Sequence, residues 1–93
     1  MKNVRVLPSF ERSVRKLSSQ ERRLLAKALG TFKGFILTGQ APFGFRLKKI
    51  DYDKYEFRVN LALRVVIKED KTSYFLVLVG SHADIKRYLR AVR

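Results

Sequence analysis

His82 is the only histidine of the chain and lies in the stretch GSHADIKRY, residues 80 to 88. An imidazole can give or take a proton near neutral pH, so what His82 does depends on the groups around it. Two apolar-alternating runs precede it, KYEFRV (54–59) and LRVVI (63–67), which carry Arg58 and Arg64, with Glu56 beside the first and Tyr88 downstream of the histidine. There is no GxSxG elbow, no phosphate-binding P-loop and no cysteine nucleophile. Such a set suits a substrate that brings its own nucleophile, and RNA does so in its 2′-hydroxyl. Cleavage by that hydroxyl needs a base for its proton, an acid for the leaving oxygen and cations for the charge that builds on the phosphate. His82, Glu56, Tyr88, Arg58 and Arg64 cover these roles without a metal. The other reading of His82 is a polar residue that merely starts a helix.

Charge points to the same class of substrate. The 93 residues hold 21 Lys and Arg against 8 Asp and Glu, a net charge of +13. That excess exceeds what solubility requires and favours a polyanion, nucleic acid first and an acidic protein or lipid surface second. Arg46, Lys48, Lys49, Lys86, Arg87 and Arg90 are candidates for sequence-independent phosphate contacts. No cysteine is present, which removes thiolate metal sites, and one histidine with scattered carboxylates disfavours any metal centre. No apolar stretch approaches the roughly 18 to 20 residues that span a bilayer. The opening MKNVRVLPSF lacks the apolar run of a signal peptide. The expectation is a single domain over residues 1–93, cytoplasmic, without membrane association or small-molecule cofactor.

Periodicity then supplies the elements that position these groups. VRVL (4–7) alternates as a short strand, and Ser9 is placed to cap a helix with Phe10, Val14 and Leu17 on one face. Ser18 and Glu21 form a capping-box pair at the start of a longer helix with the stripe Leu25, Ala28, Leu29, Phe32 and Ile36. After the turn residues of TGQAPFG (38–44), strands are expected at FRLKKI (45–50), KYEFRV, LRVVI and YFLVLV (74–79), joined by short gaps as an antiparallel meander. Within YFLVLV, Phe75, Val77 and Val79 alternate against Tyr74, Leu76 and Leu78. Ser81 and Asp84 cap a final helix. The fold class is α+β: an N-terminal strand and helical hairpin, then an antiparallel meander and a C-terminal helix. A parity argument fixes the middle hairpin. Tyr55, Phe57 and Val59 must share a face with Leu63, Val65 and Ile67, which pairs Phe57 with Val65, Glu56 with Val66, and Arg58 with Arg64. Two arginines then oppose each other on the outer face, where a bound phosphate would relieve their repulsion.

With these elements in order, nearly the whole chain resembles the RelE/ParE superfamily of toxin–antitoxin toxins, through YEFRV, LRVVI, VLVG and the basic terminal helix. The resemblance implies an mRNA endoribonuclease acting in the ribosomal A site. Its basic strand residues would correspond to Arg58 and Arg64, its catalytic arginine position to His82 and its tyrosine to Tyr88. The GSH sequence is closest to the YafQ-like branch, in which this histidine is catalytic. Two positions depart from the pattern: Glu56 replaces a lysine of RelE, and Lys86 replaces a phenylalanine of YafQ-like proteins. The resemblance further implies a cognate antitoxin with an acidic amphipathic segment. On the same fold stand two alternatives, a ParE-like inhibitor of DNA gyrase and a non-catalytic RNA-binding member.

Overall fold

Five strands and three helices follow one another in the computed structural model, which describes residues 2–92. The order is β1 (Asn3–Val6), α1 (Pro8–Arg15), α2 (Ser19–Thr38), a single 3-10 turn (Phe43–Phe45), β2 (Lys48–Lys49), β3 (Lys54–Arg58), β4 (Arg64–Glu69), β5 (Ser73–Gly80) and α3 (His82–Ala91). β2 to β5 form the antiparallel meander, and β1 adds in parallel to β5, giving the sheet order β1-β5-β4-β3-β2. The architecture is the expected α+β arrangement, with the N-terminal strand recruited into the same sheet.

Each face of the sheet is packed. On one, Phe57, Val65, Ile67, Leu76 and Val79 meet Phe10 of α1 and Leu25, Ala28 and Phe32 of α2. Phe57 is sandwiched between Phe32 and Phe45, with ring centroids 5.0 and 4.7 Å away. On the other face a smaller core of Val66 and Val77 lies under Ile85 of α3. The pairings Phe57–Val65, Glu56–Val66 and Arg58–Arg64 stand as parity requires. Asn60 holds the hairpin loop, its Oδ1 accepting from the backbone N–H groups of Ala62 and Leu63 at 2.8 and 2.7 Å.

β5 breaks the simple alternation. Val66 pairs with Leu78 but Ile67 pairs with Leu76, so Val77 is the extra residue of a bulge. Leu76 and Val79 consequently share the α2 face, while Phe75, Val77 and Leu78 serve the α3 side. A strict period of two cannot express that shift. The bulge lies just beyond Leu76, where β1 stops pairing. α1 takes over this edge: Ser9 Oγ donates to the carbonyl of Val77 at 2.6 Å, and buried Ser13 Oγ accepts from the N–H of Val79 at 3.0 Å. Ser9 is therefore inside the helix rather than its cap. Leu7 is the N-cap residue and Pro8 occupies the first turn, where a missing N–H costs nothing.

The expected strand at 45–50 is mostly absent. Phe45 turns inward onto Phe57, and Arg46 adopts a left-handed backbone (φ 56°), which leaves only Lys48 and Lys49 to pair with β3.

Two consequences can be measured. Replacing Ser13 by Ala leaves the Val79 N–H buried without a partner, and the expected cost is about 1–3 kcal/mol in urea unfolding at unchanged m value. An unaltered midpoint would show that Ser13 does not hold this edge. The second concerns acid. Asp84 is held below the usual carboxylate range by the Ser81 backbone N–H, Asp70 by the N–H groups of Thr72 and Ser73, and Asp53 by the Lys54 ammonium. All three bind a proton more weakly when folded. Their contribution is complete above the ordinary aspartate pKa of about 4 and is lost as pH falls through the lowered native values. Melting temperatures should accordingly fall below about pH 4, and a melting temperature that rises with acid would contradict the assignment.

Candidate active site

The β3–β4 hairpin brings Arg58 opposite Arg64, and β5 brings Gly80 opposite Arg64, so the three form one row across three strands. At about 4.8 Å per strand, the row is roughly 10 Å wide. His82 follows Gly80 by two residues as the first residue of α3, and its side chain is exposed. The capping work belongs to its neighbours. Ser81 Oγ accepts from the Asp84 N–H at 3.2 Å, and Asp84 Oδ2 accepts from the Ser81 N–H at 2.9 Å. A Cβ on Gly80 would fall 2.8 Å from that same carboxylate oxygen, so glycine is required for the cap to close. The imidazole is thus free of structural duty and sits at the end of the arginine row.

The two arginines are not equivalent. Arg64 Nη1 donates to Glu56 Oε2 at 2.9 Å, and Glu56 is buried at 3 % exposure. Among the described residues no ion pair reaches Arg58, and the Nε–H groups of both arginines are buried without a hydrogen-bond partner in the chain. Glu56, the candidate base of the sequence reading, is paired with Arg64 and is the internal counterion that fixes one guanidinium. It also answers the charge reversal noted in the sequence, since a carboxylate here can hold Arg64 in place while Arg58 stays uncompensated.

Tyr88 is not gathered with the others. It lies six residues beyond His82 in α3, roughly 9 Å along and about 120° around the helix. It is half-buried against the Val66–Val77–Ile85 core, on the inner side of α3. The six-residue interval sets that phase, so nearness in the chain does not make His82 and Tyr88 partners.

The remaining cations divide by face. Lys48 pairs with Glu56 and so belongs to the arginine face, whereas Lys49 pairs with Tyr55, whose ring packs towards α2. Lys86 stands one turn after His82 on α3, Arg87 is tied to Asp84 at 3.2 Å, and Arg90 is exposed. Arg46 is exposed in the turn before β2, where its left-handed backbone ends the pairing with β3. Lys54 and Lys68 also oppose each other on this face, with Asp53 at 2.9 and 3.8 Å between them. The parity rule extended two steps further along the hairpin would have found that pair.

No family model matches the sequence and no curated protein sequence is similar to it. Solved structures are similar. YafQ of Escherichia coli, in its complex with DinJ, superposes with a TM-score of 0.69 at 12% identity over 91% of this chain and 98% of that one. RelE of Methanococcus jannaschii, in complex with RelB, gives 0.67 at 13% identity, covering 90% and 96%. A metal-bound toxin of Helicobacter pylori gives 0.70 at 19% identity, covering 91% and 99%. The chain has the RelE-like toxin fold. On this RelE-like fold the arginine row, Gly80 and His82 occupy one end of the sheet, beside the start of α3. The described residues contain no group of three or more His, Cys, Asp or Glu that could hold a metal ion.

The ion pair offers a direct test. Glu56→Ala leaves Arg64 without its counterion, and the expected loss is about 3 kcal/mol of unfolding free energy, in the range for breaking one partner of a buried pair. Equal stability of Glu56→Ala and wild type in urea would show that Glu56 does not anchor the row.

Proposed function

We propose that this chain is the toxin of a type II toxin–antitoxin system, acting as a ribosome-dependent mRNA endoribonuclease. The observation that carries the reading is the row Arg58–Arg64–Gly80 ending at an exposed His82 whose helix is capped by other residues. The fold shared with YafQ and RelE supports it.

In this reading a phosphate of single-stranded mRNA meets Arg58, which no ion pair reaches among the described residues, and Arg64, oriented by Glu56. Their guanidinium groups stabilise the extra negative charge of the pentacoordinate phosphorus more than that of the ground state. The 2′-hydroxyl attacks that phosphorus and loses its proton. The bond to the 5′-oxygen breaks, that oxygen gains a proton, and the products are a 2′,3′-cyclic phosphate and a 5′-hydroxyl end. His82 moves one of these protons. Lys48, Lys86, Arg46 and Arg90 add phosphate contacts that position the strand without reading its sequence. Tyr88 and Glu56 have no direct part in the chemistry.

The partner in this reading is an antitoxin with an acidic amphipathic segment. A groove of about 470 Å³ between β1 and α2, lined by Val4, Leu29, Phe32 and Ile36 with Lys2 and Lys33 on its walls, matches such a segment in polarity and in sign. β1 is an edge strand with Val4 and Val6 half exposed, a surface to which an extended segment can add.

The test is brief induction in cells followed by mapping of mRNA 5′ ends, with His82→Ala alongside. Wild type should produce new ends phased to codons, and the variant should cut at least about a hundredfold more slowly, as expected for loss of a proton-transfer group. His82 is exposed and makes no cap, so circular dichroism should show the variant folded as wild type is. Growth arrest without new ends would sink the nuclease reading, and inhibition of DNA supercoiling by the purified protein would then favour the gyrase alternative.

A further inference from the structure

Phe43 is 88% exposed, at the turn between α2 and β2. Leaving an aromatic ring in water forfeits the burial that a ring normally gains. One face of this ring is covered: the guanidinium carbon of Arg46 lies 4.9 Å from its centroid. The other face is open. The stack is held by backbone geometry, since Arg46 is the only non-glycine among the described residues with a positive φ (56°), the conformation that turns the chain back over the ring. Tyr52 is as exposed as Phe43, but no cation covers its ring, and exposed Leu61 has no ring to offer.

The position of this stack matters as much as its exposure. Pro42 and Gly44, on either side of Phe43, line a cavity of about 320 Å³ with Arg58 and Lys27. Arg46, stacked on Phe43, belongs to the same turn. Phe43 and Arg46 therefore lie near the Arg58 end of the row that runs through Arg64 to Gly80. A flat π-surface backed by a guanidinium beside a row of phosphate-binding cations is the combination by which proteins hold unpaired bases, stacking on the open face while the cations take the backbone.

We propose that Phe43 is a stacking platform for an unpaired nucleobase adjoining the phosphate held by Arg58 and Arg64. The inference rests on the nucleic-acid reading above and deepens it, placing a base on the far side of the row from His82. Stacking of this kind tolerates every base, so Phe43 contributes affinity and strand position rather than sequence choice. The guanidinium of Arg46 both orders the ring and adds charge at the point where the strand enters.

The chain contains no tryptophan, so Phe43→Trp introduces a single fluorescent reporter. The probe is a fluorescein-labelled single-stranded RNA octamer, with inorganic polyphosphate as a polyanion without bases. Wild type should bind the RNA, Phe43→Ala should bind about five- to a hundredfold more weakly, and Phe43→Tyr should restore affinity. In Phe43→Trp, the emission should be quenched by the RNA and not by polyphosphate. Equal affinity of Phe43→Ala and wild type would overturn the proposal, as would equal quenching by both polyanions. If wild type binds the RNA and loses it on Arg58→Ala but not on Phe43→Ala, the phosphate site stands and the platform falls. If wild type fails to bind the RNA, the nucleic-acid reading and the platform fall together, and Phe43 becomes an anchor for a protein partner.

Discussion

A slip of one residue of β4 against β3 would turn Val65 and Ile67 away from the α2 core and carry Arg64 and Lys68 into it. Both apolar residues are fully or almost fully buried, so the slip removes two core side chains and buries two cations at once. Both terms act in the same direction, and Asn60 adds a local one by closing the loop in a single register. Everything on the functional face follows from this pairing. Opposed arginines are a cost in an isolated sheet, yet the cost is fixed by the core beneath them and cannot be relieved by sliding. It can be relieved only by counter-charge, and among the described residues an ion pair reaches Arg64 and not Arg58. Glu56 serves Arg64, which leaves Arg58 as the place where an external anion gains most.

The second constraint is at the edge of the sheet. β5 must bulge at Val77, because Leu76 and Val79 fill the α2 core while Val77 and Leu78 face α3. The bulge falls where β1 ends, and the backbone groups of Val77 and Val79 would be orphaned if α1 did not bring Ser9 and Ser13 against them. This short polar seam fixes where the end of β5 lies, and with it the level of Gly80 beside Arg64. The capping box built on Gly80 then starts α3 with His82 outermost. The imidazole is placed by groups that do not touch it, which is why its own local sequence says so little about its role.

How legible was this in the sequence? The hairpin register was, because parity needs only the alternation of Tyr55, Phe57 and Val59 against Leu63, Val65 and Ile67, and β3 and β4 keep it with no bulge between them. Both capping boxes were legible for a similar reason: Ser18 with Glu21 and Ser81 with Asp84 satisfy backbone donors within one turn, with no help from the rest of the fold. What escaped depends on distant partners. Ser9 seemed a cap until β5 claimed its hydroxyl, and the run at 45–50 seemed a strand until Phe45 found Phe57. The bulge in β5 is written in packing on two faces and leaves no period of its own. Glu56 read as a base because its type permits it, and its burial against Arg64 depends on a partner on the neighbouring strand. Tyr88 illustrates helical phase overriding proximity in the chain.

The charge distribution closes the argument between surface and site. A net +13 spread evenly would give weak, salt-sensitive attraction to any polyanion. Here the sheet arranges it. Lys54 faces Lys68 and Arg58 faces Arg64, while Lys48 lies beside Glu56, all on the α3 side. The carboxylates on that face are spoken for, Asp53 by the two lysines and Glu56 by Arg64. One carboxylate serves two cations at either end, but Asp53 lies within reach of both lysines whereas Glu56 reaches Arg64, and among the described residues no ion pair reaches Arg58. For the proposed RNA strand, a phosphate at Arg58 would supply a missing counterion, whereas at Lys54 it would compete with Asp53 already in place.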